Sequence, residues 1–201
     1  MRGPVSVLLA YLIGGIPFGL LIVRLMTGSD VRTGGSGNIG ATNVLRTAGP
    51  KAGILTLLLD AAKGWLAVWA AHKLSGGSVL WMSSAAVAVL LGHVFPAWLR
   101  FRGGKAVASF IGAFGYLCPA PLLAVLLIFV IVVAWTRHLS LGSITAAGLF
   151  PVACWMILHP EWPVLIASAA AAVLIVWRHR GNIQRIRDGN ERVFRFGRTS
   201  L

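Results

Sequence analysis

Two polar stretches interrupt an oily chain with residue types suited to holding phosphate. The first, GGSGNIGATN at residues 34–43, combines glycines with the neutral hydrogen-bond groups of Ser36, Asn38, Thr42 and Asn43. Glycines let a backbone turn tightly and present its N–H groups, and a helix start beyond them adds positive potential. Arg46 follows with a planar fork for anionic oxygen. The second, GHVFPAWLRFRGGKAVAS at residues 92–109, places Lys105 directly after Gly103 and Gly104. Two glycines before a helix start expose amide donors beside the ammonium. Two shorter stretches accompany them. In TRHLSLGS, residues 136–143, Ser140 or Ser143 is expected to cap the next helix. In WRHRGNIQRIRDGNER, residues 177–192, His179 and Asn182 share a face only if a helix runs through Gly181.

The same inventory excludes several chemistries. No Gly-x-x-x-x-Gly-Lys-Ser/Thr string occurs, so ATP hydrolysis on a Walker loop is unsupported. The acids are Asp30, Asp60, Glu161, Asp188 and Glu191, too few and too scattered for two-metal or paired-carboxylate mechanisms. Gly-x-Ser-x-Gly is absent, and Cys118 and Cys154 lie in apolar surroundings as two small buried side chains rather than metal ligands. No metal and no cofactor are expected. What remains is a set of cationic and amide donors suited to phosphate-bearing substrates.

A membrane must position these loops. Of 201 residues 57% are hydrophobic and 11% charged, against roughly a quarter charged in soluble domains. The 18 Lys and Arg sit in a few loops and a tail rather than on one basic face, which argues for membrane topology and against nucleic acid. Apolar runs cover residues 5–23, 52–71, 79–95, 106–136, 144–158 and 162–177. The run 106–136 is too long for one ordinary crossing of about 17–25 residues and carries Pro119 and Pro121 near its middle. A single crossing there would leave Arg178, Arg180, Arg185, Arg187, Arg192, Arg195 and Arg198 outside, against the positive-inside rule. A hairpin of short helices turning at 118–121 puts fifteen Lys/Arg inside and two, Arg2 and Lys73, outside, with Lys63 in a span. The expectation is an all-α membrane protein of seven transmembrane helices with a central short-helix hairpin. Its N-terminus is outside, its C-terminus is cytoplasmic, and all four polar stretches face the cytoplasm. Asp60 and Lys63, three apart in the second span, are expected to pair, as a functional site or as a structural ion pair. Gly15 and Gly19 have a spacing that lets helices approach closely.

GSGNIGATN with Arg46, GHVFPAWLRFRGGKAVA, RHLSLGS and HRGNIQRIRDGNE, with Asp60-x-x-Lys63-Gly64, together resemble the bacterial acyl-phosphate:glycerol-3-phosphate acyltransferase family (PlsY). The likeness runs through all four stretches in order across nearly the whole chain. It implies one integral-membrane acyltransferase domain over 1–201, in the bacterial inner membrane, with its active site on the cytoplasmic face. The implied reaction moves a fatty acyl group from acyl phosphate to the sn-1 hydroxyl of glycerol 3-phosphate. Lysophosphatidate and phosphate result, in the first acylation of phospholipid synthesis. By resemblance Ser36, Arg46, Lys105, Ser143, His179 and Asn182 are the catalytic set. Gly37, Asn38, Gly40, Thr42, Asn43, Gly103 and Gly104 would bind substrate, with the glycine amides cradling the acyl phosphate and Lys105 and Arg46 holding the glycerol 3-phosphate phosphate. His179 or an oxygen of the leaving phosphate would take the hydroxyl proton, and the scarcity of bases favours the phosphate. No histidine has Asp five positions later, in keeping with the family's difference from His-x-x-x-x-Asp acyltransferases. Arg102, Ala106 and His138 depart from the family's usual Lys, Gly and Tyr. The expected partners are the two substrates and the bilayer, with the chain a monomer. The rival class is a membrane anion carrier. The one-sided polar motifs and the lack of internal repeats count against it.

Overall fold

The computed structural model describes residues 2–194, and every regular element among them is helical. Arg195 and Arg198 of the basic tail lie outside the described residues. The chain divides at Leu117/Cys118 into two compact units.

The first unit contains α1 (Arg2–Gly14), α2 (Phe18–Thr27), α3 (Ala41–Ser75), α4 (Val79–Val94) and α5 (Val107–Leu117). The first apolar run is therefore not one continuous helix, because it breaks at residues 15–17. Pro17 has no N–H to continue the ladder, and the break leaves carbonyls to be satisfied from elsewhere. Lys63 Nζ donates to the Ile16 carbonyl at 2.8 Å, and Trp98 Nε1 donates to the Gly15 carbonyl at 2.6 Å. Gly15 lies against Trp98 and beside Gly92 of α4, and Gly19 lets α2 approach the Ile39 carbonyl and Val44 of α3 closely.

Helix α3 changes direction at Gly49, whose φ of 85° and ψ of 176° suit only glycine. Pro50 then starts the longer segment that carries the expected span 52–71. Residues 41–48 form a separate short helical piece directly after the polar loop. Helix α3 packs against α1, α4 and α5, and α1 packs against α4. Glycine makes these crossings possible: a Cβ on Gly64 would overlap the Ser109 carbonyl, and one on Gly112 would overlap the Ala61 carbonyl.

The second unit contains α6 (Pro119–Thr136), α7 (Leu139–Leu158), α8 (Trp162–Arg178) and α9 (Arg180–Arg187). Helix α7 packs on both α6 and α8, and α9 leaves α8 at a bend of 54°. Cys118 and Cys154 are buried with their sulfurs 3.9 Å apart, as expected of two small apolar side chains.

The expected break near 118–121 is present, with α5 ending and α6 starting around Cys118. Five helical segments are long and apolar enough to cross a bilayer, and the bent α8–α9 pair makes a sixth. Helix α5, at 11 residues, rises about 16 Å against a hydrocarbon core of about 30 Å. The chain is thus an all-helical protein with five or six candidate spans among the described residues.

Candidate active site

In the first unit the polar loop 34–43 rests on an apolar floor. Val31, Ile39 and Val44 are buried against Leu20, Ile22, Val23 and Ala52, with Phe18 and Leu99 packed alongside. One side chain then ties the loop shut. Asn43 is 2% exposed, and its Oδ1 accepts the Ser36 N–H at 2.7 Å. Its Nδ2 faces three carbonyls, those of Val31 at 3.0 Å, Gly34 at 3.2 Å and Asn38 at 2.8 Å. An amide offers both donors and acceptors, so it can satisfy backbone groups of both kinds at one buried point. Asn38 Oδ1 accepts the Gly40 N–H at 2.8 Å, turning the chain into the first turn of α3. Asn43 and Asn38 therefore build the loop, while Ser36, Gly37, Thr42 and Arg46 stand exposed on it. The stretch is a fixed platform, tied at Asn43 and floored by apolar side chains. Sequence reading passed over Val31 and Ile39, although two apolar residues inside a polar stretch were the available signal. Beside the platform, the Arg32 guanidinium chelates the Asp30 carboxylate, with Nη2 2.6 Å from Oδ2, and holds that carboxyl down at about 2.

The second stretch folds back onto the end of α4. The Gly103 N–H donates to the Val94 carbonyl at 3.0 Å, and the Gly104 N–H donates to the His93 carbonyl at 3.1 Å. A helix end leaves its last carbonyls unmet, and here the loop supplies donors to two of them. The expectation that these two amides cradle phosphate needs revision, because both already have backbone partners. The glycines are required by contact: a Cβ on Gly103 would overlap the His93 carbonyl, and one on Gly104 would overlap the His93 ring. Lys105 follows, half-buried, and Ala106 opens α5 by accepting the Phe110 N–H at 2.8 Å. Ala106 sits at φ 64°, a left-handed conformation that favours glycine, so this departure from the family pattern places strain beside Lys105.

In the second unit α8 ends at Arg178, and after the bend at His179 a new helix, α9, runs through Gly181. The Asn182 and Ile183 N–H groups donate to the His179 carbonyl at 2.8 and 2.9 Å, and both His179 and Asn182 are buried. His179 Nδ1 lies 2.8 Å from the Ile175 carbonyl. A carbonyl only accepts, so Nδ1 is the protonated nitrogen in that contact and the neutral ring's lone pair lies on Nε2. Asn182 Nδ2 donates to Glu191 Oε1 at 2.6 Å, Ser140 Oγ donates to the same oxygen at 2.7 Å, and Arg185 Nε approaches Oε2 at 2.8 Å. Burial alone would raise the Glu191 carboxyl. The three donors outweigh it and hold the group below the usual carboxylate range.

Neither serine caps α7. His138 occupies the N-cap position, Ser140 is engaged by Glu191, and Ser143 donates back to the Leu139 carbonyl at 2.8 Å. Glu191 is the residue that sequence reading left without a role. A single carboxylate among the tail arginines was its only signal.

Known proteins are similar to this chain in sequence and in fold. A family model described as glycerol-3-phosphate acyltransferase matches residues 4–189. The glycerol-3-phosphate acyltransferase of Methylobacillus flagellatus is 47% identical over 198 residues, spanning 96% of this chain and 98% of its own. That of Anaeromyxobacter dehalogenans is 45% identical over 195 residues, spanning 96% and 97%. Among solved structures, PlsY (YgiH), an integral membrane glycerol 3-phosphate acyltransferase, aligns in its glycerol 3-phosphate form with a TM-score of 0.91. That match has 36% identity and covers 97% of this chain and 96% of the other. The lysophosphatidic acid form aligns with a TM-score of 0.88 at 35% identity.

Proposed function

The chain belongs to the glycerol-3-phosphate acyltransferase family, and from that premise we propose that acyl phosphate is its acyl donor and that the four polar stretches carry its reacting groups on the cytoplasmic face. It is an integral-membrane acyltransferase acting on glycerol 3-phosphate. The sn-1 hydroxyl oxygen attacks the acyl carbon, the bond from that carbon to the phosphate oxygen breaks, and lysophosphatidate and inorganic phosphate leave. An acyl phosphate is a mixed anhydride with a good leaving group, so the enzyme needs positioning and charge stabilisation more than a covalent nucleophile.

The observation that carries the site assignment is the Asn43-tied platform, which presents Ser36, Thr42 and Arg46 from a rigid base. Arg46 and Lys105 hold the glycerol 3-phosphate phosphate, and Ser36, Gly37, Gly40 and Thr42 meet the substrates beside the positive end of α3. Asn38 and Asn43 shape that surface, and Gly103 and Gly104 deliver Lys105. The family resemblance also assigns Ser143, His179 and Asn182 to the reaction. The leaving phosphate oxygen takes the hydroxyl proton, and His179→Gln then retains most turnover; its loss with substrate binding intact would assign the proton to His179 Nε2.

The remaining parts of the reading concern topology. A single domain over 1–201 crosses the bacterial inner membrane seven times as a monomer, with α5 as the short arm of a hairpin. The N-terminus is outside and the C-terminus cytoplasmic. The excess of Lys and Arg in alternate loops supports this. A Gly77→Cys variant should react with an impermeant thiol reagent on intact cells, and Asp188→Cys only after permeabilisation. The reverse pattern inverts the topology.

The central test is the purified protein in lipid with acyl phosphate and glycerol 3-phosphate, following phosphate release. Acyl-CoA and acyl-carrier protein run in parallel. No release with any donor overturns the reaction, and product from acyl-CoA alone replaces the donor.

A further inference from the structure

Beneath the Gly103-Gly104-Lys105 loop lies a set of polar side chains that the reaction does not use directly. Asp60 and Lys63 on α3, His93 on the last turn of α4 and Ser109 on the first turn of α5 are each at most 4% exposed. None of them reaches the surface of the unit. Lys63 Nζ stands 2.7 Å from Asp60 Oδ1 and also donates to the Ile16 carbonyl at 2.8 Å. A carboxylate oxygen has more than one lone pair, so beside Lys63 the buried Oδ1 keeps acceptor capacity. His93 Nδ1 is 3.8 Å from that same oxygen and 3.4 Å from Ser109 Oγ.

The opposite edge of the His93 ring supports the loop. A Cβ on Gly104 would overlap Nε2 and lie 3.0 Å from Cδ2 and 3.1 Å from Cε1. The Gly104 N–H donates to the carbonyl of the same histidine at 3.1 Å. His93 therefore fixes Gly104 twice, by its backbone and by its ring, one residue before Lys105. Burying a polar side chain in a span is costly unless it is partnered, and an apolar side chain in place of His93 would fill the volume without that cost.

We propose that Asp60, Lys63, His93 and Ser109 form a positioning network that sets the Gly103-Gly104-Lys105 backbone, and through it the Lys105 ammonium, for the phosphate of glycerol 3-phosphate. The inference rests on the reading above that Lys105 binds this phosphate. His93 is the coupling element: Nδ1 faces the network and the Nε2 edge faces the loop. The network acts on binding of one substrate, whereas an ion pair that only joined helices would act on stability alone.

The experiment measures KM for glycerol 3-phosphate and for acyl phosphate, kcat and thermal midpoint for the full-length protein in lipid. His93→Leu keeps the volume and removes the polarity, His93→Asn keeps a polar atom near the Nδ1 position, and Ser109→Ala removes one hydroxyl. His93→Leu is expected to raise KM for glycerol 3-phosphate by about tenfold or more, with KM for acyl phosphate within about threefold. His93→Asn is expected to recover most of that loss, and Ser109→Ala to raise the same KM by about two- to fivefold. In a Lys105→Ala background His93→Leu should add nothing, because both act through one ammonium.

A fall in thermal midpoint with both KM values unchanged in His93→Leu and Ser109→Ala overturns the network, as does full additivity with Lys105→Ala. If His93→Leu does not fold, Ser109→Ala decides by the same criterion. If Lys105→Ala itself leaves KM for glycerol 3-phosphate unchanged, the site reading fails and takes this inference with it. Absence of activity in the wild-type protein instead fails the reaction.

Discussion

The two units each close a polar segment with one side chain, yet the two closures differ in kind. Asn43 gathers the Ser36 N–H and the carbonyls of Val31, Gly34 and Asn38, all within twelve residues of itself. Glu191 gathers side chains, those of Ser140, Asn182 and Arg185, and reaches back 51 residues to do so. The first closure is neutral and local, so it can form as soon as its own segment folds. The second carries charge and depends on α7 already standing where Ser140 can meet it. Neutral closure suits a surface that must not change with conditions, whereas the charged one makes the tail answerable to protonation.

The largest effect should come from breaking the local closure. Asn43→Ala leaves one N–H and three carbonyls of the loop without this partner, and at about 1–3 kcal/mol for each buried group it should cost about 3 kcal/mol or more locally. Turnover in lipid should fall by about a hundredfold, since small misplacements of binding groups have effects of that size. Hydrogen exchange over residues 31–43 would report the loop opening. Glu191→Gln should be milder, because the amide keeps an acceptor for Ser140 and Asn182 and loses mainly the Arg185 pairing. About a tenfold fall in turnover, or roughly 1.4 kcal/mol, is expected, with faster exchange confined to residues around 182–191.

Acid should separate the two closures without mutation. The Glu191 carboxyl is held below its unfolded value of about 4.3, so its stabilisation is complete above that pH and is lost as pH falls through the lower folded value. Exchange near 182–191 should rise over that window while residues 34–43, tied by Asn43 beyond the Asp30–Arg32 pair, show no matching step. Equal sensitivity of the two regions would refute the contrast. The smallest effect is expected where neither closure is touched. Ala106→Gly relieves the φ of 64° and should raise stability by about 0.5–1 kcal/mol, read as a higher thermal midpoint.

What the sequence made legible follows the same division between near and far. The Asp60–Lys63 pair was readable because three residues along a helix bring two side chains to one face. The break after Leu117 was readable from run length, two prolines and the sign of the tail. The break at residues 15–17 was not, because a hydropathy run averages over a proline, and the Ile16 carbonyl finds its donor 47 residues away on Lys63. Ser140 and Ser143 looked like caps because capping is a local expectation, and the partner that captures Ser140 lies far along the chain. Asn43 stands in the sequence beside Ser36, Asn38 and Thr42 as one hydrogen-bond group among several, and residue type alone does not separate a group that touches substrate from one that shapes what does.

The return of residues 103 and 104 onto the end of α4 has a consequence for how this protein tolerates change. Most membrane helices can gain or lose a residue and accommodate by tilting slightly in the bilayer. Here one residue inserted ahead of His93 would turn its carbonyl by about 100° and shift it by about 1.5 Å, away from the Gly104 N–H that meets it. The length of α4 is therefore set by the loop it receives as well as by the membrane it crosses. Insertions and deletions in that helix should be purged while apolar substitutions on its lipid-facing side accumulate.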